Sequence, residues 1–267
     1  MARFDTGDGR TVYFEHHRGA GIPVVLIHGW AMSGRIWAGT AEALKADGHA
    51  VLIIDHRGCG QSDRDFDDLS IGAIAGDVAG IVRRESSVPA VLNGWSLGGA
   101  VAVAAADALG TMAAGVVLTC GASPRFARSD DFPHGGEPNA IDATAAALAA
   151  DRAGFFRGLA QAVCARDVGA ATIDWMWSAF IDSGIDALAS LRSLAATDQR
   201  AMLGRLDAPL LSVVGGADTI LDPAIGRIAA QMAPRGELVE IEGCGHAPFI
   251  EDAPAYLAAL RAFLRRL

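Results

Sequence analysis

The sequence predicts the α/β class: a mostly parallel central sheet with helices on both faces, and a helical segment inserted late in the chain. Two observations carry that expectation. Short apolar runs alternate with longer stretches of helical spacing up to about residue 120, and again from about residue 206. A parallel sheet reads this way when helices cover both of its faces. Between the two blocks, residues 125–205 hold no convincing strand. The expected organisation is therefore a first part of the sheet domain over 1–124, a helical lid over 125–205, and a second part of the sheet domain over 206–267.

Each element has its own signal. Residues 10–16 follow the Asp8-Gly9 turn and alternate as a strand. Pro23 to Ile27 is a continuous apolar run, suited to a strand buried on both faces. From Ser33 to Ala46 the spacing turns helical, with Ile36, Trp37, Ala41 and Leu44 on one side. Val51 to Ile54 and Ala90 to Leu92 are the next strands, with a helix over Ile71–Val82 between them. A helix over Leu97–Leu109 and a strand over Val116–Leu118 complete the first block. The pattern changes at Ala122-Ser123-Pro124. A turn-rich stretch follows, and then helical segments over Ile141–Ala150, Phe155–Cys164, Ile173–Ile181 and Ala187–Leu194. The second block reads as a strand over Pro209–Val214, a helix near Ala224–Met232, a strand over Leu238–Ile241 and a helix from Pro254.

Composition narrows the class of partner. The chain has 267 residues, is 51% hydrophobic and carries a net charge of -9. That charge disfavours general affinity for nucleic acid or an anionic membrane. No apolar run is long enough to span a bilayer, and residues 1–5 lack a signal-peptide core. Cys59, Cys120, Cys164 and Cys244 are scattered without C-x-x-C spacing, which reads as reduced cysteines in a cytoplasmic protein. His16, His17, His49, His56 and His134 show no metal-ligand spacing, and no phosphate-binding loop is present. No cofactor and no metal are implied.

The chemistry is concentrated at three strand ends. Gly94-Trp95-Ser96-Leu97-Gly98-Gly99 runs strand, turn, helix, the setting in which a serine is held on a sharp turn with its hydroxyl outward. Asp218 follows the strand ending at Val214, and His246 follows the strand ending at Ile241. The order Ser96, Asp218, His246 supplies a nucleophile, an acid and a base. A serine hydroxyl attacks an ester only when an imidazole takes its proton and a carboxylate steadies that imidazole. His28-Gly29-Trp30 follows the first buried strand, so the backbone amides of Trp30 and Leu97 are the expected oxyanion donors. Taken singly, Ser96 could be a helix cap, Asp218 a turn residue beside the better cap Asp222, and His246 an ordinary loop histidine. Their joint placement favours the reactive reading. His28 is expected to orient the oxyanion loop. The turn from Asp55 to Asp63 reads as a glycine-rich loop stabilised by its own Asp and Arg. Trp30 and Trp95 are expected to line the acyl pocket, with Phe132, Phe155, Phe156, Trp175, Trp177 and Phe180 as its roof.

On these residues the chain resembles the α/β-hydrolase superfamily over nearly its full length. Within it, the chain is most similar to the biotin-pathway esterases that demethylate pimeloyl-carrier-protein methyl ester. The shared features are His28-Gly29-Trp30, the Gly94–Gly99 string, the Ala122-Ser123-Pro124 exit and His246-Ala247-Pro248-Phe249-Ile250. The resemblance implies an α/β-hydrolase fold with a lid, a serine carboxylesterase, and an acyl carrier protein as a partner gripped by lid arginines, while the hydrophobic residues expected around the pocket favour short to medium acyl esters. Arg152, Arg157 and Arg166 are the arginines in place, although residues 125–205 hold eight arginines against ten acids. The Asp55-His56-Arg57-Gly58 turn looks more like general esterases, lactonases and cofactor-free perhydrolases. Ala195–Arg200 is similar to enol-lactonases of aromatic degradation. A lactonase or C–C bond hydrolase with the same triad is the alternative enzyme, and a non-catalytic binding protein the alternative from another class.

Overall fold

A computed structural model describes residues 2–137 and 139–267. Eight strands form one sheet in the order β1-β2-β4-β3-β5-β6-β7-β8. They are β1 (Ala2–Asp5), β2 (Thr11–His17), β3 (Gly21–Ile27), β4 (His49–Ile54), β5 (Ala90–Trp95), β6 (Ala113–Thr119), β7 (Leu210–Gly215) and β8 (Gly236–Ile241). Strands β3 to β8 run parallel, while β1 and β2 pair antiparallel at one edge. The helices are α1 (Ala38–Ala46), α2 (Ile71–Glu85), α3 (Leu97–Leu109), α4 (Ala140–Ala162), α5 (Ala170–Ile181), α6 (Leu188–Ala196), α7 (Arg200–Gly204), α8 (Pro223–Met232), α9 (Pro248–Glu251) and α10 (Ala253–Leu264).

The apolar runs work as expected, because alternate side chains of one strand serve opposite layers. Val25, Ile27, Leu52, Ile54, Leu92, Val116 and Leu118 pack with α2, α3 and α8. Val24, Leu26, Val51, Ile53, Val91 and Val117 pack on the other face with α1 and α10. The sequence pattern missed three pieces. Strand β1 is short and mostly exposed, so it carries no hydrophobic run. Helices α7 and α9 have five and four residues, too few for a helical period to register. The two helices read over Ile141–Ala150 and Phe155–Cys164 are present as the two stretches of α4, which meet at Asp151, whose φ of -155° interrupts the helix. Between β6 and β7 lie α4 to α7. Among the described residues this stretch contributes no strand to the sheet, only isolated bridges at Ala127–Gly136 and Ser129–Phe132. No helix among the described residues is long and apolar enough to cross a membrane.

The topology dictates where a ligand can sit. From β3 the chain steps outward to β4 on one side and then returns to β5 on the other. The loops leaving β3 and β5 therefore diverge, opening a crevice at the carboxyl ends of the two strands. Ile27 pairs with Gly94, so His28-Gly29-Trp30 emerges beside Trp95-Ser96-Leu97. Helix α3 presses into this junction. A β-carbon on Gly94 would stand 2.0 Å from the Gly98 carbonyl oxygen, and one on Gly98 would stand 2.4 Å from that of Ile27. Both contacts are with backbone, which cannot swing away as a side chain can. Gly94→Ala and Gly98→Ala should each destabilise the fold by about 3 kcal/mol, read as the shift in urea midpoint. A loss below about 1 kcal/mol at both positions would contradict this packing.

Candidate active site

Ser96 follows the last residue of β5 and precedes α3, with φ 56° and ψ -121°. Three non-glycine residues among those described have left-handed φ: Ala31, Ser96 and Cys120. All three lie just past the carboxyl ends of β3, β5 and β6. Such conformations cost about 1–3 kcal/mol each and survive only where the surroundings enforce them. Ser96 is enforced from both ends. Its amide donates to Thr119 O at 3.1 Å, and its carbonyl accepts from Gly99 N at 2.9 Å and Ala122 N at 2.8 Å. Its hydroxyl makes no cap to α3, which removes the capping explanation for a serine at this position.

Asp218 and His246 come together from the ends of β7 and β8. His246 Nδ1 and Asp218 Oδ2 are 2.7 Å apart, both side chains being almost fully buried. The other carboxylate oxygen accepts from Ile220 N at 2.8 Å and Leu221 N at 3.0 Å, so the acid is held in one orientation. A bond from Ala217 N to Cys244 O at 2.8 Å ties the two loops together. With Nδ1 engaged, the imidazole presents Nε2, which is buried without a hydrogen-bond partner among the described residues. Trp95 steadies the loop from below. Its indole N–H donates to His246 O at 2.7 Å, and its ring packs against the imidazole at 5.6 Å.

The turn after β3 is shaped by the fully buried His28. Its Nδ1 donates to Gly29 O at 2.7 Å, and its Nε2 accepts from His56 N at 2.9 Å, which fixes the tautomer. Because a peptide's C=O and N–H point in opposite directions, drawing the Gly29 carbonyl toward His28 turns the Trp30 amide away from it. Neither the Trp30 nor the Leu97 amide is taken by a turn or side-chain acceptor among the described residues. Burial pushes the His28 ring below histidine's ordinary range, and burial beside His28 pushes His56 well below it. The two rings stack at 3.7 Å. In the adjoining turn, Asp55 accepts from Gly34 N at 2.6 Å and Gln61 N at 2.8 Å. Arg57 reaches out of that turn to pair with Asp77 on α2. This loop holds the scaffold beneath the crevice and lines no part of the cavity that holds Ser96 and His246.

Ser96 and His246 open on one cavity of about 180 Å³, with Gly29, Trp30, Trp95 and Leu97 around them. The remaining wall comes from Phe126, Thr144, Phe155, Leu159, Val163, Phe180, Leu191, Leu194 and Ile220. No Asp, Glu, Lys or Arg side chain lines it. Other polar side-chain groups in the wall are already bonded: Trp30 Nε1 to Ala187 O, Trp95 Nε1 to His246 O, and Thr144 Oγ1 to Ala140 O. Ser96 Oγ and His246 Nε2 are the wall's uncommitted polar side-chain atoms among the described residues.

Four expected pocket residues lie elsewhere. Phe132 is buried in the core beside α3 and meets His134 edge to face, away from the cavity. Phe156 stands one layer behind the wall, between Trp30 and Phe180, with its ring stacked on Phe180 at 5.4 Å. Adjacent residues on a helix point about 100° apart, so when Phe155 faces the cavity Phe156 must face the neighbouring helix. Trp175 is part-exposed on the surface, and Trp177 bonds Ala153 O. The missed wall residues Leu191 and Leu194 are three apart on α6, a spacing that core residues share, so nothing marked them as cavity-facing. Cys120 was also unremarked. Its sulfur lies within 4.8 Å of ligand atoms of Asp218 and His246, and burial beside Asp218 raises its thiol well above the ordinary range, leaving it neutral.

The arginines of residues 125–205 are engaged within the chain. Arg125, Arg128, Arg157, Arg166, Arg200 and Arg205 each pair closely with an acid, and Arg192 lies 3.9 Å from Asp142. Arg152 donates instead to Ser183 and Gly184 and covers the Phe156 ring.

Comparison with known proteins agrees with this fold. The alpha/beta hydrolase family matches residues 24–260. A pimeloyl-[acyl-carrier protein] methyl ester esterase of Stenotrophomonas maltophilia (strain K279a) is 33% identical over 254 residues, covering 93% of this chain and 95% of its own. Among solved structures, an esterase from Exiguobacterium antarcticum superposes with a TM-score of 0.94 at 22% identity, over 98% of both chains. The esterase RhEst1 from Rhodococcus sp. ECU1013 gives 0.87 at 26% identity, over 99% of this chain and 98% of that one.

The buried histidine pair makes stability depend on pH. Below histidine's ordinary 6.5, the unfolded chain takes up protons that the buried rings refuse. Stability therefore falls as pH drops through that value toward the lower folded ones. His56→Phe should flatten this fall by up to about 1.4 kcal/mol per pH unit, measured by urea unfolding between neutral and mildly acidic pH. An unchanged slope would show that His56 is not held neutral.

Proposed function

As a member of the alpha/beta hydrolase family, the chain is an ester-bond hydrolase, and we propose that it cleaves carboxylic esters through Ser96, His246 and Asp218. In this reading Ser96 Oγ attacks the ester carbonyl while His246 Nε2 takes its proton. Asp218 steadies the imidazolium, and the Trp30 and Leu97 amides hold the oxyanion. The tetrahedral adduct then expels the alcohol, which leaves with the proton from His246, and Ser96 keeps the acyl group. Water, deprotonated by His246, attacks that acyl-enzyme and releases the acid with Ser96 restored. One observation carries the reading. In an apolar cavity whose other polar side chains are bonded, a strained serine and an acid-backed histidine line the same wall with Oγ and Nε2 uncommitted.

The cavity also favours the substrate class. Drug-sized ligands occupy sites of about 300–1,000 Å³, and this cavity of about 180 Å³ suits a short to medium, uncharged acyl group. The helical stretch 125–205 acts as the lid that supplies most of its wall. Pimeloyl-carrier-protein methyl ester is the candidate that the relatives' name supplies, and a polymethylene chain with methanol as leaving group meets the cavity's terms. The internally paired lid arginines do not strengthen the case for a gripped carrier.

Ser96→Ala and His246→Ala should each abolish burst acylation and lower kcat by about 10⁴–10⁶-fold, with Asp218→Ala losing about 10⁴-fold. Stopped-flow release of p-nitrophenol measures both quantities. A normal burst from folded Ser96→Ala protein would end the assignment, and failure of a fluorophosphonate to label Ser96 would favour a binding protein. Across p-nitrophenyl esters, kcat/KM should peak between acetate and hexanoate and collapse for an acyl group ending in a free carboxylate. Lactones turned over far faster than any ester would shift the substrate class.

A further inference from the structure

We infer that Glu251 is a positioning residue for His246, joining the loop that carries His246 to the neck of the helical insertion; the inference rests on His246 being the proton acceptor. Glu251 lies at the end of α9, five residues after His246. Its carboxylate collects four backbone amides from two separate stretches of chain. Gly245 N lies 2.9 Å from both oxygens, and Ala247 N lies 3.2 Å from Oε1. Ala165 N and Arg166 N reach Oε2 at 2.8 and 3.0 Å. The first two amides flank His246, and the other two lie just beyond α4. No acid plays this part for Ser96 or Asp218.

The peptide between these amides is fixed as well. His246 N donates to Val163 O at 2.7 Å, so the neck also holds the histidine's own backbone. The fit is close: a β-carbon on Gly245 would meet Ala165 N at 2.7 Å and Val163 O at 2.9 Å. Val163 in turn belongs to the cavity wall. One carboxylate thus sets the histidine's backbone and the inner end of the wall together. Four N–H groups converging on one point repel one another unless an anion sits among them. A neutral or shorter side chain should let the two strips part and the imidazole drift. A 1 Å drift of a reacting group costs about 100-fold.

The test uses the full-length chain and p-nitrophenyl acetate. Glu251→Ala should lower kcat by about 30-fold and Glu251→Gln by about 5-fold, with KM within about threefold of wild type. The slowed step should appear equally in the rate of fluorophosphonate labelling of Ser96. The strongly downfield proton resonance of the His246 Nδ1–H should broaden or move in both variants. Arg166→Ala removes side-chain bonds to Asp252, Glu242 and Gly243 but keeps the backbone N–H on Glu251, so its kcat should stay within about threefold. Should Glu251→Ala fail to fold, Glu251→Gln carries the test alone. Folded Glu251 variants with wild-type kcat, a loss confined to KM, or an equal loss in Arg166→Ala would overturn the inference. Activity surviving in Ser96→Ala would overturn the triad reading instead, whatever Glu251 does.

Discussion

A β-carbon at Gly98 would stand 2.4 Å from the Ile27 carbonyl oxygen, so β3 and α3 meet at a spacing that only a glycine backbone permits. That approach sets the height of α3 over the sheet, and the height sets the turn that joins them. Ser96 occupies this turn at φ 56° because strand and helix leave it no relaxed alternative. The same closeness brings the turn after β3 alongside, with Ile27 opposite Gly94. Positioned helix, exposed hydroxyl and neighbouring amides all follow from one crowded junction. The strain there, about 1–3 kcal/mol, is tolerable because the packed strands on either side supply far more.

The residues around that junction were legible in the sequence because each sits where a period breaks. An apolar run ends, glycines follow, and one reactive side chain stands in the gap. That holds for Ser96, for Asp218 after Gly215-Gly216, and for His246 after Gly243-Cys244-Gly245. The Asp218–His246 contact at 2.7 Å then follows from β7 and β8 being neighbours in the sheet. The cavity wall was harder to read. Phe155 and Phe156 are equivalent as letters, and helical rotation alone sends one to the cavity and the other into the core. Phe132 was an aromatic in a turn-rich stretch, and it filled the nearest apolar gap beside α3. Glu251 left no trace at all, because its four donors are backbone amides that every sequence possesses.

Charge is distributed to close the surface on itself. The insertion brings eight arginines, and seven of them face acids while the eighth caps carbonyls. Exposed pairs of this kind stabilise by no more than about 1 kcal/mol apiece, so they hold the helices in place only weakly. Beneath them the cavity itself carries no formal charge other than what His246 acquires. In the proposed reaction, developing charge would therefore meet oriented dipoles in a nearly unscreened setting, where such dipoles act most strongly.

The indole of Trp30 bonds Ala187 O at 2.8 Å, and Trp30 itself lines the cavity. Roof and floor thus share one side chain. A library aimed at bulkier substrates that began with the segment around Ala187 would meet this bond first. Remodelling there removes the anchor of Trp30 and loosens the donor that the proposed reaction assigns to its amide. Leu191, Leu194 and Ile220 border the same space without carrying any such bond, so accommodation can be engineered from their side with the hydrolytic apparatus left undisturbed.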